Sequence, residues 1–307
     1  MAKRKVKLAR QRANWVGNRK VTLRGEPMRV NESSANKLAE SAMSQVYKMH
    51  LDVNKQVMAL FDTELAKQSI PKEPDKITTE DVAQDSFAMD ASISVKARHL
   101  MNKLIRKWER HFNLYADNFA DSMIKTVTKQ SSSDLKKAGE KLSGGMTIKT
   151  DTLSQRTKDI IYASTDESSS LIKTLASNYT ASVKEAVSRS IASNTSSLTQ
   201  LREEIHAGLQ DKYKVQRNKA KNVALDQTRK AYANIGTSKM QDAGLNQYEW
   251  AHSGGSQNPR SYHKNVLAGQ VFSLDDPPVI DQRTGEKGHP GDAINCKCFK
   301  IPVISFG

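Results

Sequence analysis

The residues best suited to chemistry crowd toward the carboxyl terminus of this 307-residue chain. His252, His263 and His289, three of its seven histidines, and both cysteines, Cys296 and Cys298, fall in the last 56 residues. Imidazole and thiolate are the preferred ligands of zinc, so His263, His289, Cys296 and Cys298 form a candidate metal set. A small module with few aromatics gains stability from such a staple. The C-x-C spacing is tighter than the common C-x₂-C knuckle, which leaves a second reading open. The cysteines then alternate on a strand, one of them packed inward as a small apolar residue. A third reading is nucleophilic, with either cysteine activated by His263 or His289. Nothing in the order of residues selects a complete set of partners for it. The chain has no G-x-S-x-G, no G-x-G-x-x-G and no P-loop. The acid pair Asp275–Asp276 runs into Pro277–Pro278 and reads as a turn, not as a nuclease metal site. The expectation is that the chain is not an enzyme.

A second concentration of chemistry is electrostatic. The formal net charge is +15, with 48 Lys and Arg against 33 Asp and Glu. Residues 1–30 carry ten of those bases and a single acid, Glu26, whereas residues 31–210 are nearly neutral and 211–307 carry +5. Lys3, Arg4, Lys5, Lys7, Arg10, Arg12, Arg19 and Lys20 are therefore the candidate nucleic-acid contacts, because a basic arm on a neutral body attracts polyanions. A merely solubilising terminus is the alternative. Gly17, Gly25 and Pro27 interrupt residues 1–30, which read as a flexible arm. Lys219, Lys221, Arg229 and Lys230 read as a solvated helix face.

Elements must position these groups, and most of them are helices. Leu38, Ala42, Val46, Met49, Val53, Val57 and Leu60 recur at three- and four-residue steps, the period of one helix face. Pro71 and Pro74 close that segment. Thr78 and Thr79 before Glu80 and Asp81 make a helix start. The stripe beyond it runs Ile93, Ala97, Leu100, Leu104, Trp108, Phe112, Tyr115, Phe119, Met123 and Val127, with no Gly or Pro between Thr78 and Gln130. Serines 131–133 and Ser143–Gly145 punctuate the next short helical piece, and a turn is expected inside the serine-rich run 165–170. Ser197–Leu209 and Tyr213–Asp242 read as two further helices. After Leu245, residues such as Tyr248, Trp250, Val271, Phe272, Ile280, Phe299 and Ile301 sit among Gly, Pro, Asn and Asp, which fits short strands and turns. The expected fold is mainly α, an elongated helical bundle, with a small carboxyl-terminal α+β module. Its parts are a basic flexible arm (1–30), a long-helix domain (31–145), a helical connector (146–210) and the terminal module (211–307). No stretch of about 18 apolar residues exists to span a membrane. Nor does an apolar run come after the basic amino terminus as in a secretory signal. Two cysteines fit a chain made in a reducing cytoplasm.

The terminal module resembles the phage Mu F-like domain of phage minor head, or head morphogenesis, proteins. The likeness begins in "NKAKNVALDQTRKAYANIGTSKMQDAG", with an acid, Thr228 and Arg229. It continues through "YEWAHSGGSQNPRSYHKNVLAGQVF", with Trp250, Arg260, His263, Leu267 and Gly269. It closes on "HPGDAINCKCFKIPV", with Pro290, Asn295, Cys296 and Cys298. Lys297 stands where the family has Arg between the cysteines, and glycine-rich Ser253–Pro259 stands where it has an Asp before the Arg. The resemblance implies a minor structural protein of a tailed-phage head, made in the host bacterial cytoplasm and placed inside the capsid near the portal. Implied partners are the portal protein, scaffold or major capsid protein, and packaged double-stranded DNA, with no membrane. The alternative function is a DNA-binding accessory protein or a metal-dependent nuclease acting on the phage genome. Zinc is the one cofactor expected, on the ligand set above.

Overall fold

The computed structural model describes residues 21–68, 79–144, 153–193, 197–255 and 259–306. Four long helices dominate: α1 (Glu32–Gln68), α2 (Thr79–Ser143), α3 (Gln155–Ala192) and α4 (Leu198–Asp242). Strands β1 (Val21–Arg24), β2 (Gln247–Ala251), β3 (Val271–Ser273), β4 (Val279–Asp281), β5 (Glu286–Lys287) and β6 (Phe299–Phe306) are short. The fold is mainly α with a small carboxyl-terminal sheet module, as the periodicity predicts. Among the described residues no helix is long and apolar enough to cross a membrane.

The helices are more continuous than the sequence suggests. Serines 131–133 lie inside α2, where the hydroxyls of Ser131 and Ser132 both donate to the carbonyl of Thr128. The expected turn at 165–170 is absent: Thr165 donates to Ile161 and Ser168 to Ser164, each within α3. A hydroxyl bonded to its own preceding turn does not compete with the helix as a cap or turn would. Likewise α4 passes unbroken through 210, so the two helices expected there are one. The boundary expected at 145 lies outside the described residues. A left-handed Gly244 ends α4, with the Leu245 amide returning to the Met240 carbonyl at 2.9 Å.

The described residues group into two compact units. One combines Ala39–Asp117 with Ser169–Val223. Its core is stripes of helix: Val46, Met49, Val53 and Phe61 from α1, Met101, Leu104 and Phe112 from α2, and Leu175, Tyr179 and Val183 from α3. The polar groups buried there are paired, as where His50 Nδ1 meets the Tyr179 hydroxyl at 2.8 Å and Asp52 accepts from Trp108 Nε1 at 2.8 Å.

The other unit takes the chain up to Leu38, from Asn118 to Ser168, and from Ala224 onward. Its antiparallel sheet has the order β1-β6-β2-β3, with β4 and β5 forming a separate pair. Here the reading of 1–30 as flexible needs correction for its last third. Val21–Arg24 pairs with Val303–Phe306, Gly25 N donates to Pro302 O at 2.8 Å, and Met28 N donates to Lys300 O at 2.8 Å. Arg24 also meets Glu249 at 2.6 Å. A β-branched segment beside an unpaired strand edge gains a ladder of backbone bonds that composition alone does not reveal. Residues 1–20, with all eight candidate DNA contacts, lie outside the described residues.

Candidate metal centre

The centre is assembled around Trp250, fully buried near the end of β2. Its amide donates to the Gln270 carbonyl at 2.9 Å and its carbonyl accepts from Gly269 N at 2.8 Å. These bonds pin a loop that makes one π-helical turn, His263–Leu267. Such turns displace a residue from the usual helical register, often at functional sites. Arg260, just before it, donates to the Ile294 carbonyl at 2.9 Å and so ties the loop to the cysteine segment. The turn buries Leu267 and aims His263 inward, edge-on to Trp250 with ring centroids 5.2 Å apart.

His263 is held at both nitrogens. Nε2 lies 2.9 Å from the Ile280 carbonyl of β4, which can only accept, so Nε2 carries a proton and, in the neutral ring, Nδ1 presents a lone pair. That lone pair faces the thiols: Nδ1 is 3.7 Å from Cys296 Sγ and 4.0 Å from Cys298 Sγ. All three atoms lie within 4.8 Å of one another. Both cysteines are buried and neither is in a disulfide. The Cys298 thiol and, after it, His263 and the amides of Cys298 and Gly291 draw the Cys296 thiol pKa down, against its burial. Cys298 is pushed up by the same pairing. Burial opposes charge on His263, but Cys296 and Ile280 outweigh it and raise its pKa. The Trp250 indole Nε1 makes no hydrogen bond, yet lies near enough to Cys298 to favour its thiolate.

His289, the fourth residue of the expected set, is not brought to this cluster. Its Nδ1 faces the Tyr248 hydroxyl at 3.2 Å and its amide donates to Asp292 Oδ2 at 2.7 Å. Burial, then Lys300 and Arg156, push its pKa down to about 3. His252 Nδ1 accepts from the Gly254 amide. The Asp275–Asp276 pair does sit in a turn, with Asp275 taking a bond from Gln241 and Asp276 an ion pair from Lys287.

The cysteines border a cleft of about 710 Å³ lined also by Arg29, Glu32, Arg229, Tyr232 and Lys300. Arg229 is not on a solvated face. It is buried and grips the Glu32 carboxylate with two bonds, at 3.2 and 2.7 Å. Tyr232 donates to Asp134 at 2.6 Å. Lys300 is buried and offers Nζ to the carbonyls of Ala233 and Pro290, each at 3.3 Å. Burial lowers its pKa to about 8, against the pull of Asp292 and Cys296. Burial raises Asp292, whose Oδ1 has no hydrogen-bond partner.

Sequence reasoning missed Lys300, Asp292, Glu32 and Gly291. Lys300 had a signal, since Cys296, Cys298, Lys300 and Pro302 alternate at period two and share the inward face. Gly291 had none. It adopts φ 102°, and a Cβ there would stand 2.7 Å from the Cβ of Ala233 on α4.

The other motif residues also do structural work. Thr228 bonds back to Ala224 at 2.7 Å, Gly269 closes on Trp250, Pro290 is buried, and the Asn295 amide donates to Asp226. The family model described as phage Mu protein F like protein matches residues 171–301. An uncharacterized protein of Haemophilus influenzae is 27% identical over 257 residues, 79% of this chain and 53% of that protein. The chain thus spans about half the length of that relative. No solved structure matches. Residues 171–301 of this chain are thus similar to the phage Mu protein F like family.

Proposed function

We propose that this chain is a minor structural protein of a tailed-phage head, acting in head assembly from the capsid interior near the portal. One observation carries the reading: the motif residues inside the matched segment hold loops to helices and strands. Arg229 fixes the start of α1 through Glu32, Arg260 fixes the cysteine loop through Ile294, and Trp250 fixes the loop before β3. Residues spent on rigidity suit a module that presents a fixed surface to other proteins, here the portal and a scaffold or major capsid protein. The basic segment Lys3–Lys20, with eight bases and no acid, would contact packaged DNA through phosphates.

The test is incorporation. Purified heads are expected to contain the chain in a few copies, and co-expressed portal protein to pull it down. Heads that lack it would end the reading. The DNA part has its own measurement. Engaging about 6–8 phosphates gives a log–log salt slope of about −5 to −7 on duplex DNA. Deleting residues 2–20 is expected to abolish that slope while sparing the β1–β6 pairing. A protein indifferent to duplex DNA at about 50 mM salt removes DNA from its partners.

A further inference from the structure

We infer that His263, Cys296 and Cys298 form the protein's three-ligand share of a zinc site, whose fourth position opens on the neighbouring cleft. The proposal is separate from the head-assembly reading and survives or fails independently of it.

Geometry is the first support. A tetrahedral zinc with bonds of about 2.3 Å to sulfur and 2.05 Å to nitrogen holds its ligand atoms about 3.6 Å (N to S) and 3.8 Å (S to S) apart. The observed 3.7 and 4.0 Å from Nδ1 to the two sulfurs fall close to these spacings. The second support is the tautomer. A metal-bound histidine almost always donates its other ring N–H to a carbonyl or carboxylate, and His263 does so to Ile280. The third is rigidity: the π-helical turn, the Arg260–Ile294 bond and the edge of Trp250 fix ring and loop before any ion arrives. The fourth is surroundings: both cysteines are buried and free of any disulfide.

The ligand count gives the site its character. Two sulfurs and one imidazole are soft enough to select zinc over magnesium or calcium. Three protein ligands leave one position, in contrast to the closed four-ligand shell of a structural site. Cys296 and Cys298 line the cleft, so that position is reached from it by water or by a small anion.

The full chain, prepared under reducing conditions without chelator, is expected to carry about one zinc by elemental mass spectrometry. Cobalt(II) added to the stripped protein should give an intense near-ultraviolet thiolate-to-metal band, and azide should then shift its visible bands. His263→Ala, Cys296→Ser and Cys298→Ser should cut metal affinity at least about tenfold, whereas His289→Ala should keep it. A wild-type chain that purifies metal-free and gives no band with cobalt overturns the site, and that measurement needs no variant to fold. Loss of metal in His289→Ala equal to that in His263→Ala, or a Cys296–Cys298 disulfide in the reduced preparation, also overturns it. Visible bands untouched by azide overturn the open position.

Discussion

The two compact units bury polar groups in different ways. In the helical unit the backbone satisfies itself, and buried polar side chains mostly meet one another, as His50 meets Tyr179 and Lys96 meets Glu64. In the sheet-bearing unit, several cations serve backbone carbonyls, although buried Arg229 meets a carboxylate. Lys300 bonds Ala233 and Pro290, Lys239 bonds Thr128, and Arg260 bonds Ile294. Irregular chain leaves carbonyls without ladder partners, and an unmet buried carbonyl costs about 1–3 kcal/mol. The second unit therefore adds specific donors to an apolar core of its own, which includes Met28, Leu135, Tyr248 and Trp250. Substitutions should separate them.

The largest effect is expected in the helical unit. Leu104 and Phe112 are both fully buried on one stripe of α2. Changing both to Asp places two unpaired carboxylates in an apolar seam, at several kcal/mol each. Loss of the cooperative urea transition is the expected result. A double variant that melts like the parent would show that the stripe is not a packing surface. Next comes Gly291→Ala in the other unit. The new methyl would meet Ala233 at 2.7 Å and the backbone would hold a conformation that L-residues avoid, which together cost about 2–4 kcal/mol. The same variant is expected to lower zinc content, because the clash with Ala233 would displace the loop that leads to Cys296.

The contrast explains what the sequence could reveal. Helix stripes are legible because burial repeats every three or four residues, and Ile93, Ala97, Leu104, Trp108, Phe112, Phe119, Met123 and Val127 are all buried as read. Helix ends were less legible, since Ser131, Thr165 and Ser168 look like breaks until their hydroxyls are seen to bond the preceding turn. Three of four candidate ligands could be named from type alone. Choosing His263 over His289 needed the fold, because both lie in irregular chain where no period says which way a ring points. Only the Ile280 carbonyl and the Tyr248 hydroxyl distinguish them. The β1–β6 pairing joins residues some 280 positions apart, and no local pattern announces it.

A smaller, pH-dependent effect arises from His289. Burial lowers its pKa from the usual 6.5 to about 3 in the folded chain. Between those values the unfolded chain binds a proton that the folded chain refuses. Stability from this group is complete above pH 6.5 and is lost as pH falls toward 3, by up to about 1.4 kcal/mol per pH unit. Carboxylates such as Asp52 and Glu64, held low by Lys107 and Lys96 against their burial, add losses of the same sign in acid. The useful reading is therefore the difference between the wild-type and His289→Asn curves. The variant is expected to be flatter over pH 4–6.5; parallel curves would mean that His289 is not buried as a neutral ring.

The smallest effect tests whether a motif residue is kept for its side chain or its backbone. Asn295 is exposed and adopts φ 58°, and it is the one non-glycine with positive φ among the described residues. Its amide, not its side chain, donates to the Asp226 carboxylate and so holds the loop that carries Cys296 against α4. Asn tolerates this left-handed conformation better than other L-residues, because its short polar side chain compensates locally. Asn295→Ala should therefore cost about 1 kcal/mol. Asn295→Gly should change stability by only a few tenths of a kcal/mol, since relieved strain offsets the greater freedom of the unfolded chain. Both variants keep the amide, so zinc content should stay near one per chain in the glycine variant. If Gly proves as costly as Ala, the side chain itself is required and the backbone account is wrong. If both match the parent, the loop is held by Arg260 and Ile294 alone, and specific donors in this unit are more redundant than the contrast with the helical unit implies.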